Sequence, residues 1–408
     1  MSASSDESDR LKAQRAGLNA LLKSKTVDLN KLRAASRAHG QFVDSALRSK
    51  IWPKLLSLNR SIDLDMDEGT ITTNKRDDVM TQVDRDVERS LSNIDELKNH
   101  SEKEIQEKRE VLKQMIMRFF CNNPSFHYFQ GYHDVVCTIY LTLEKEESDV
   151  DAIDQVVQAI STKYFVDCHR SDFYIMAKTI PVVLTIIEKA DPNGLHKFLS
   201  DAEMLPFFST SWILTWFAHE IKNVKEVARI FDVLLSSPPP YILYVCAAFL
   251  LHHKELIMKQ ECEFPLIHDF LSRGLANGIL PFEIEHISKK ADDLFEAIPL
   301  SEILNTNFTL QKLVRCGKID LFENKRNANE NGIAQNGQHN TFKKVLSLLK
   351  VRKSHLWSIF YELSSVFGFA YDEEELQSVS FYKGPKRTAV FYFVIGIVGG
   401  LLKWKMHK

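Results

Sequence analysis

Through most of the first 300 residues, apolar positions recur at intervals of three and four, the period of a helix with one buried face. In segment 44–58, Leu47, Ile51, Leu55 and Leu58 follow one another by four, four and three. That spacing predicts a helix, kinked or restarted at Pro53 because proline has no amide donor. Val111, Met115, Ile116 and Phe119 mark the buried stripe of an amphipathic helix emerging from the charged stretch after residue 93. Helices are also predicted over 10–24, 133–145, 150–164, 173–190, 193–201, 211–235, 241–258, 263–275 and 281–297. Pro192-Asn193-Gly194, Pro238-Pro239-Pro240 and Pro281 punctuate them. Segment 241–251 is apolar throughout, yet falls short of the roughly 17–25 residues a membrane span needs, so it is read as a buried core helix. Strand-like alternation is nearly absent. The pattern predicts an all-α, multi-helix domain over 40–300, preceded by an N-terminal region, 1–39, with a disordered start at 1–9.

Beyond 300 the pattern changes. Residues 301–387 form a linker region, in which 322–341 is rich in Asn and Gln with few apolar groups, a disordered composition. An amphipathic, basic helix is predicted at 342–366, either lying on anionic lipid or packing back on the domain. Residues 388–404 are apolar on all sides, contain no acidic residue and carry Lys403 at their far edge. As a helix they would be about 25 Å long, which suits a thin bilayer such as that of the endoplasmic reticulum. The segment is expected to be a single-pass transmembrane tail anchor that leaves the domain in the cytosol, with the Golgi as the other address. Gly396 and Gly400 form a G-x-x-x-G pair that could mediate helix pairing.

Composition adds exclusions. Apolar residues make up 44% and charged residues 26%, with a net charge of −2, so no global charge favours nucleic acid, and no basic stripe with interleaved aromatics is found. The six cysteines form no C-x-x-C pair, which points away from a disulfide framework and toward a reducing compartment. Phosphate-loop, H-E-x-x-H, G-x-S-x-G and G-x-G-x-x-G motifs are all missing. Cys168-His169 are sequence neighbours that rarely meet on a helix, and His252-His253 lack the companions of a metal site.

Three segments carry candidate chemistry. In 83–90, Asp86 and Arg89 are three apart and share a helix face, so the carboxylate can aim the guanidinium. The commoner outcome of such spacing is a solvated ion pair. In 123–134, four aromatics surround Gln130-Gly131; the glycine permits an unusual turn, and the glutamine amide can hold a water molecule. In 209–221, Trp212, Trp216 and His219 fall on one predicted helix face, and Arg229 and Asp232 form another i,i+3 pair expected to be a structural salt bridge.

Taken in order, these segments resemble the TBC (Tre-Bub-Cdc) domain family of Rab GTPase-activating proteins. Arg48-x-x-x-Trp52-Pro53-x-Leu55-Leu56 is similar to its opening signature, Val83-x-x-Asp86-x-x-Arg89 to its I-x-x-D-x-x-R, and Tyr128-Phe129-Gln130-Gly131 to its Y-x-Q-G, followed by Asp134. Trp212-x-x-Thr215-Trp216-Phe217 and Arg229-x-x-Asp232 resemble later ones. Departures are Val83 in place of Ile and a long charged segment, 93–109, between the second and third motifs. The resemblance implies an activator that is not an enzyme by itself. Arg89 and Gln130 would be catalytic in trans, and Asp86, Tyr128, Gly131 and Asp134 would support them. Trp52, Trp212 and Trp216 would be scaffold. The partner would be a Rab-family GTPase that brings its own GTP and Mg²⁺, so the chain would have no cofactor. The alternative is a non-catalytic Rab-binding membrane tether.

Overall fold

Among the described residues, the stretches with a clean three-four period are helical in the main. The structure, a computed structural model, describes residues 2–58, 73–91, 94–144, 149–170, 174–300 and 302–303; the side chains of 2–7, 73–75, 89–90 and 174 lie outside that description. Segments 301–387 and 388–404, with the linker, amphipathic and anchor expectations attached to them, therefore fall outside it except at 302–303. Among the described residues there are helices and turns and no strand, and no helix is long and apolar enough to cross a membrane.

The helices in order are α1 (Ser2–Lys23), α2 (Leu29–Ala35), α3 (Ser45–Leu55), α4 (Thr73–Ser90), α5 (Glu102–Asn122), α6 (Tyr132–Leu143), α7 (Val150–Tyr164) and α8 (Tyr174–Thr179). They continue with α9 (Val182–Ala190), α10 (Leu195–Asp201), α11 (Thr210–Thr215), α12 (Val224–Leu235), α13 (Tyr241–His252), α14 (Lys254–Ile257), α15 (Phe264–Gly274) and α16 (Ile284–Ala297).

Two of them are hubs. Every residue of α13 from Tyr241 to Leu250 is buried, because α16, α9 and α11 pack around it; this is why its sequence has no polar face. In α6 every residue except Asp134 is buried, enclosed by α3, α4, α5, α7, α11 and α12. The N-terminus of α6 is where the 123–131 loop enters. Helix α4 reaches the same place through Val79, Val83 and Val87, buried and four apart, a stripe that docks it on α5 and α6. Of the charged segment 93–109, residues 94–101 lead into α5 and 102–109 form its first two turns. Ser101 and Glu104 close a capping box there, and Glu96 accepts from the Val224 and Lys225 amides at 3.1 and 3.3 Å, fastening this turn to the start of α12.

The structure corrects five expectations. The disordered start at 1–9 is instead helical from Ser2, within α1; Gln14 ties that helix down by donating to the Ala35 and Gln41 carbonyls, and Leu18 enters the core. The predicted helix 211–235 breaks after Thr215, where Trp216 and Phe217 adopt φ of 52° and 66°, so Trp212 and His219 do not share a helix face. The predicted 173–190 and 241–258 likewise split, at Pro181 and His253. Finally, Arg229 and Asp232 do not pair. Asp232, fully buried, accepts from Arg48 Nη2 at 2.8 Å, Trp52 Nε1 at 2.8 Å and the Phe42 amide at 3.2 Å, while Arg229 bonds Gln41 and Glu285. A buried carboxylate takes the partners that fully desolvate with it, which gives the Arg48-x-x-x-Trp52 spacing its physical content: both side chains project from α3 onto one acid of α12.

Candidate functional site

The loop 123–131 is set by the aromatics that the sequence crowds into it. Phe126 stacks on His169 with centroids 5.4 Å apart and planes 7° from parallel. Phe129, Tyr132, Phe119 and Phe120 close round the same ring. The His169 backbone carbonyl accepts from the His127 amide at 2.8 Å, and the His169 ring nitrogen Nδ1 lies 3.0 Å from the His127 carbonyl. Burial pushes the His169 imidazole down to about 3, against the hydrogen bond to His127. The ring is therefore neutral at physiological pH, and Nδ1–H is the donor. His169 is the platform on which the loop sits.

The loop ends at Gly131, which has φ 95° and forms the N-cap of α6. A Cβ there would meet Thr215 Cγ2 at 2.7 Å. Glycine is required twice over, for the left-handed backbone and for the close approach of α11. Gln130, half-buried, occupies the turn immediately before it. Arg89 is the penultimate residue of α4, one turn beyond Asp86.

Asp86 and the loop meet directly. The Tyr128 hydroxyl donates to Asp86 Oδ2 at 2.8 Å and lies 3.1 Å from His133 Nδ1. His133 Nε2 is 3.2 Å from Asp134 Oδ1, and Asp134 Oδ2 is 2.8 Å from His219 Nδ1. The two ring nitrogens of His133 therefore stand between the Tyr128 hydroxyl and the Asp134 carboxylate. Four of the sequence-predicted residues, Asp86, Tyr128, Gly131 and Asp134, are thus brought together with Gln130 at one end of α6.

Electrostatics follow from burial and pairing. Burial, and then the Asp86 charge, push the Tyr128 phenol well above its ordinary range, so it stays a donor. Burial raises Asp134, but the His133 and His219 imidazoles outweigh it and hold the carboxyl below its usual value. The Asp134 hydrogen bond lifts His219 to about 9, against burial. Glu220, bonded by the Ser211 hydroxyl, is raised because burial outweighs His219.

The turn that delivers His219 is strained. Two consecutive bulky residues in the left-handed region cost roughly 1–3 kcal/mol each. They are held by amide bonds to the Trp212 carbonyl and by Trp216 packing on Phe165 and Phe231 at 4.8 and 5.0 Å. The spacing that grouped His219 with Trp212 and Trp216 did not point to its partner here, since Asp134 and His219 are 85 residues apart.

A family model for the Rab-GTPase-TBC domain matches residues 45–258. TBC1 domain family member 20 of Bos taurus is 28% identical over 282 residues, 69% of this chain and 66% of that protein, so the chain spans about two thirds of that relative. The GTPase-activating protein gyp10 of Schizosaccharomyces pombe is 25% identical over 297 residues, 70% of this chain and 72% of that one. Among solved structures, the Chlamydomonas flagellar RabGAP TBC domain superposes with a TM-score of 0.51 at 13% identity, over 71% of this chain and 95% of that one; that likeness is one of fold.

Proposed function

This chain belongs to the Rab-GTPase-TBC domain family, and from that premise we propose that it accelerates GTP hydrolysis on a Rab-family GTPase, with Arg89 and Gln130 acting in the partner's nucleotide site. One observation carries the reading. The carboxylate one turn before Arg89 bonds the phenol two residues before Gln130, so the segments bearing the arginine and the glutamine, remote in sequence, are fastened side by side.

Hydrolysis spreads negative charge over the transferred phosphoryl group and the leaving oxygen. A guanidinium, always charged and planar, meets two of those oxygens at once. In this proposal Arg89 supplies it and Asp86 sets the helix end that carries it. Gln130 holds the attacking water, with the half-buried loop around it limiting its motion. GTP and Mg²⁺ arrive with the partner. The apolar segment 388–404 is assigned the role of membrane anchor, at the endoplasmic reticulum or Golgi, on the strength of its composition.

The test is single-turnover GTP hydrolysis on a panel of purified Rab proteins with full-length chain. Arg89→Ala should lower stimulation at least about a hundredfold and Gln130→Ala at least about tenfold. Stimulation unchanged by both substitutions would remove the assignment.

A further inference from the structure

The function just proposed uses Arg89, Asp86, Tyr128 and Gln130. It leaves unexplained why two histidines and two more acids are gathered behind them. We propose that His133 and His219, joined through Asp134, are positioning residues that hold the Gln130 loop in register with α4. The proposal rests on the GTPase-activating reading and goes beyond it by adding a third element, the turn after α11, to the support of the site.

The geometry is a series of contacts from one element to the next. Asp86 stands on α4, Tyr128 on the loop, His133 and Asp134 on the first turn of α6, and His219 on the turn after α11. The links are 2.8, 3.1, 3.2 and 2.8 Å. Asp134 is the only residue of α6 that is not buried, and it spends both carboxylate oxygens on the two imidazoles. The turn is itself anchored beside the loop. The His219 amide donates to Thr215 Oγ1 at 3.2 Å, and Thr215 Cγ2 fills the space that a Cβ on residue 131 would need. His219 therefore reaches the glycine hinge by two routes, through Asp134 and through Thr215. The strained Trp216-Phe217 backbone has the effect of turning the chain back so that this contact can form.

The groups facing His219 are Asp134 from α6, Asp86 from α4 and Glu220 beside it, with His133 on the far oxygen of Asp134. The ring is 43% exposed and Asp134 only 15%, so His219 is the member of the series most open to solvent. Its affinity for a proton, raised to about 9 by Asp134, keeps the link charged at neutral pH. The sign is that of a base with a raised value: the contribution is complete below about 6.5 and is lost as pH climbs through about 9.

The experiment has two arms on the full-length chain. With a Rab protein that the wild type stimulates, kcat and KM for the GTPase are measured from neutral to alkaline pH. His219→Ala should lower kcat about tenfold through loss of alignment, with KM for the GTPase nearly unchanged. The wild type should lose kcat near pH 9, on a limb absent from the intrinsic rate. His219→Gln keeps a donor without a charge, and should recover part of the kcat and show no such limb. An unchanged kcat in His219→Ala, or a limb that persists in His219→Gln, overturns the proposal. The second arm needs no GTPase: the His219 ring is titrated by NMR, and amide exchange of 126–131 is followed. Titration near 9 in the wild type, falling in Asp134→Asn, with faster loop exchange in His219→Ala, supports the relay. Titration near about 6.5 with unchanged exchange defeats it. If no Rab is stimulated by the wild type, the GTPase-activating reading fails, and the second arm still decides the contact.

Discussion

Gly131 is the position where one added carbon should be felt most. Gly131→Ala places a Cβ on a residue with φ 95°, which costs roughly 1–2 kcal/mol for the left-handed backbone. The same carbon would lie 2.7 Å from Thr215 Cγ2, and relieving such a clash in a packed site costs a further 1–3 kcal/mol or so. A total of about 3 kcal/mol is expected, in a protein whose net stability is on the order of 5–15 kcal/mol. The two contributions can be separated. Thr215→Ser deletes the offending methyl but keeps the hydroxyl that bonds the Ser211 carbonyl and the His219 amide. Alone it should destabilise by about 0.8 kcal/mol, the value of one buried methyl. Combined with Gly131→Ala it should return the steric part, so that the double variant is about 1–2 kcal/mol more stable than the sum of the singles implies. Urea unfolding of the four proteins at matched slopes measures this. In the hydrolysis assay Gly131→Ala should lose about a hundredfold, the effect of a displacement near 1 Å. A loss of less than about 0.5 kcal/mol in Gly131→Ala, with no coupling to Thr215, would refute the claim that a left-handed glycine wedged on α11 shapes the loop.

Three more outcomes are expected. Asp232→Ala should cost 3–5 kcal/mol or so, because it strands the buried Arg48 guanidinium, whereas Arg229→Ala, at the half-buried periphery, should cost roughly 1 kcal/mol or less; equal losses in urea unfolding would return Asp232 to Arg229. His169 is neutral when folded and takes a proton when unfolded, so stability should fall as pH drops below about 6.5 and level off near 3; His169→Phe should flatten that slope, and an unchanged slope would locate the acid sensitivity elsewhere. Deleting 388–408 should move the protein from the membrane to the soluble fraction of lysed cells, and retention on membranes would assign the attachment to another segment.

Much of the architecture was legible because helices write a local signature. The stripe through Met115, Ile116 and Phe119 is the buried face of α5, with Val111 half-buried at its edge, and the unbroken apolar run at 241–251 is a hub helix enclosed on all sides. Boundaries were less legible. The break at Trp216 has no glycine or proline to announce it, since tertiary packing of the tryptophan on Phe165 and Phe231 holds the left-handed turn. The Arg229–Asp232 pairing failed for a related reason: i,i+3 spacing states only what a helix could bring together, and a buried acid answers instead to the cations and donors that desolvate with it from α3.

The order of residue types along the chain thus determined the helical class and most of the buried stripes, because period and polarity are properties a residue has within a few positions of itself. The arginine, glutamine, carboxylate and glycine that the site proposal uses were singled out by the resemblance of their motifs to a family, and local spacing alone left each of them an ordinary surface or loop residue. Only the folded structure decided that Tyr128 completes Asp86, that His169 carries the loop, and that Asp134 finds His219 across 85 residues. Contacts of that range are set by how α4, α6 and the turn after α11 pack on a shared core, and no local spacing encodes them.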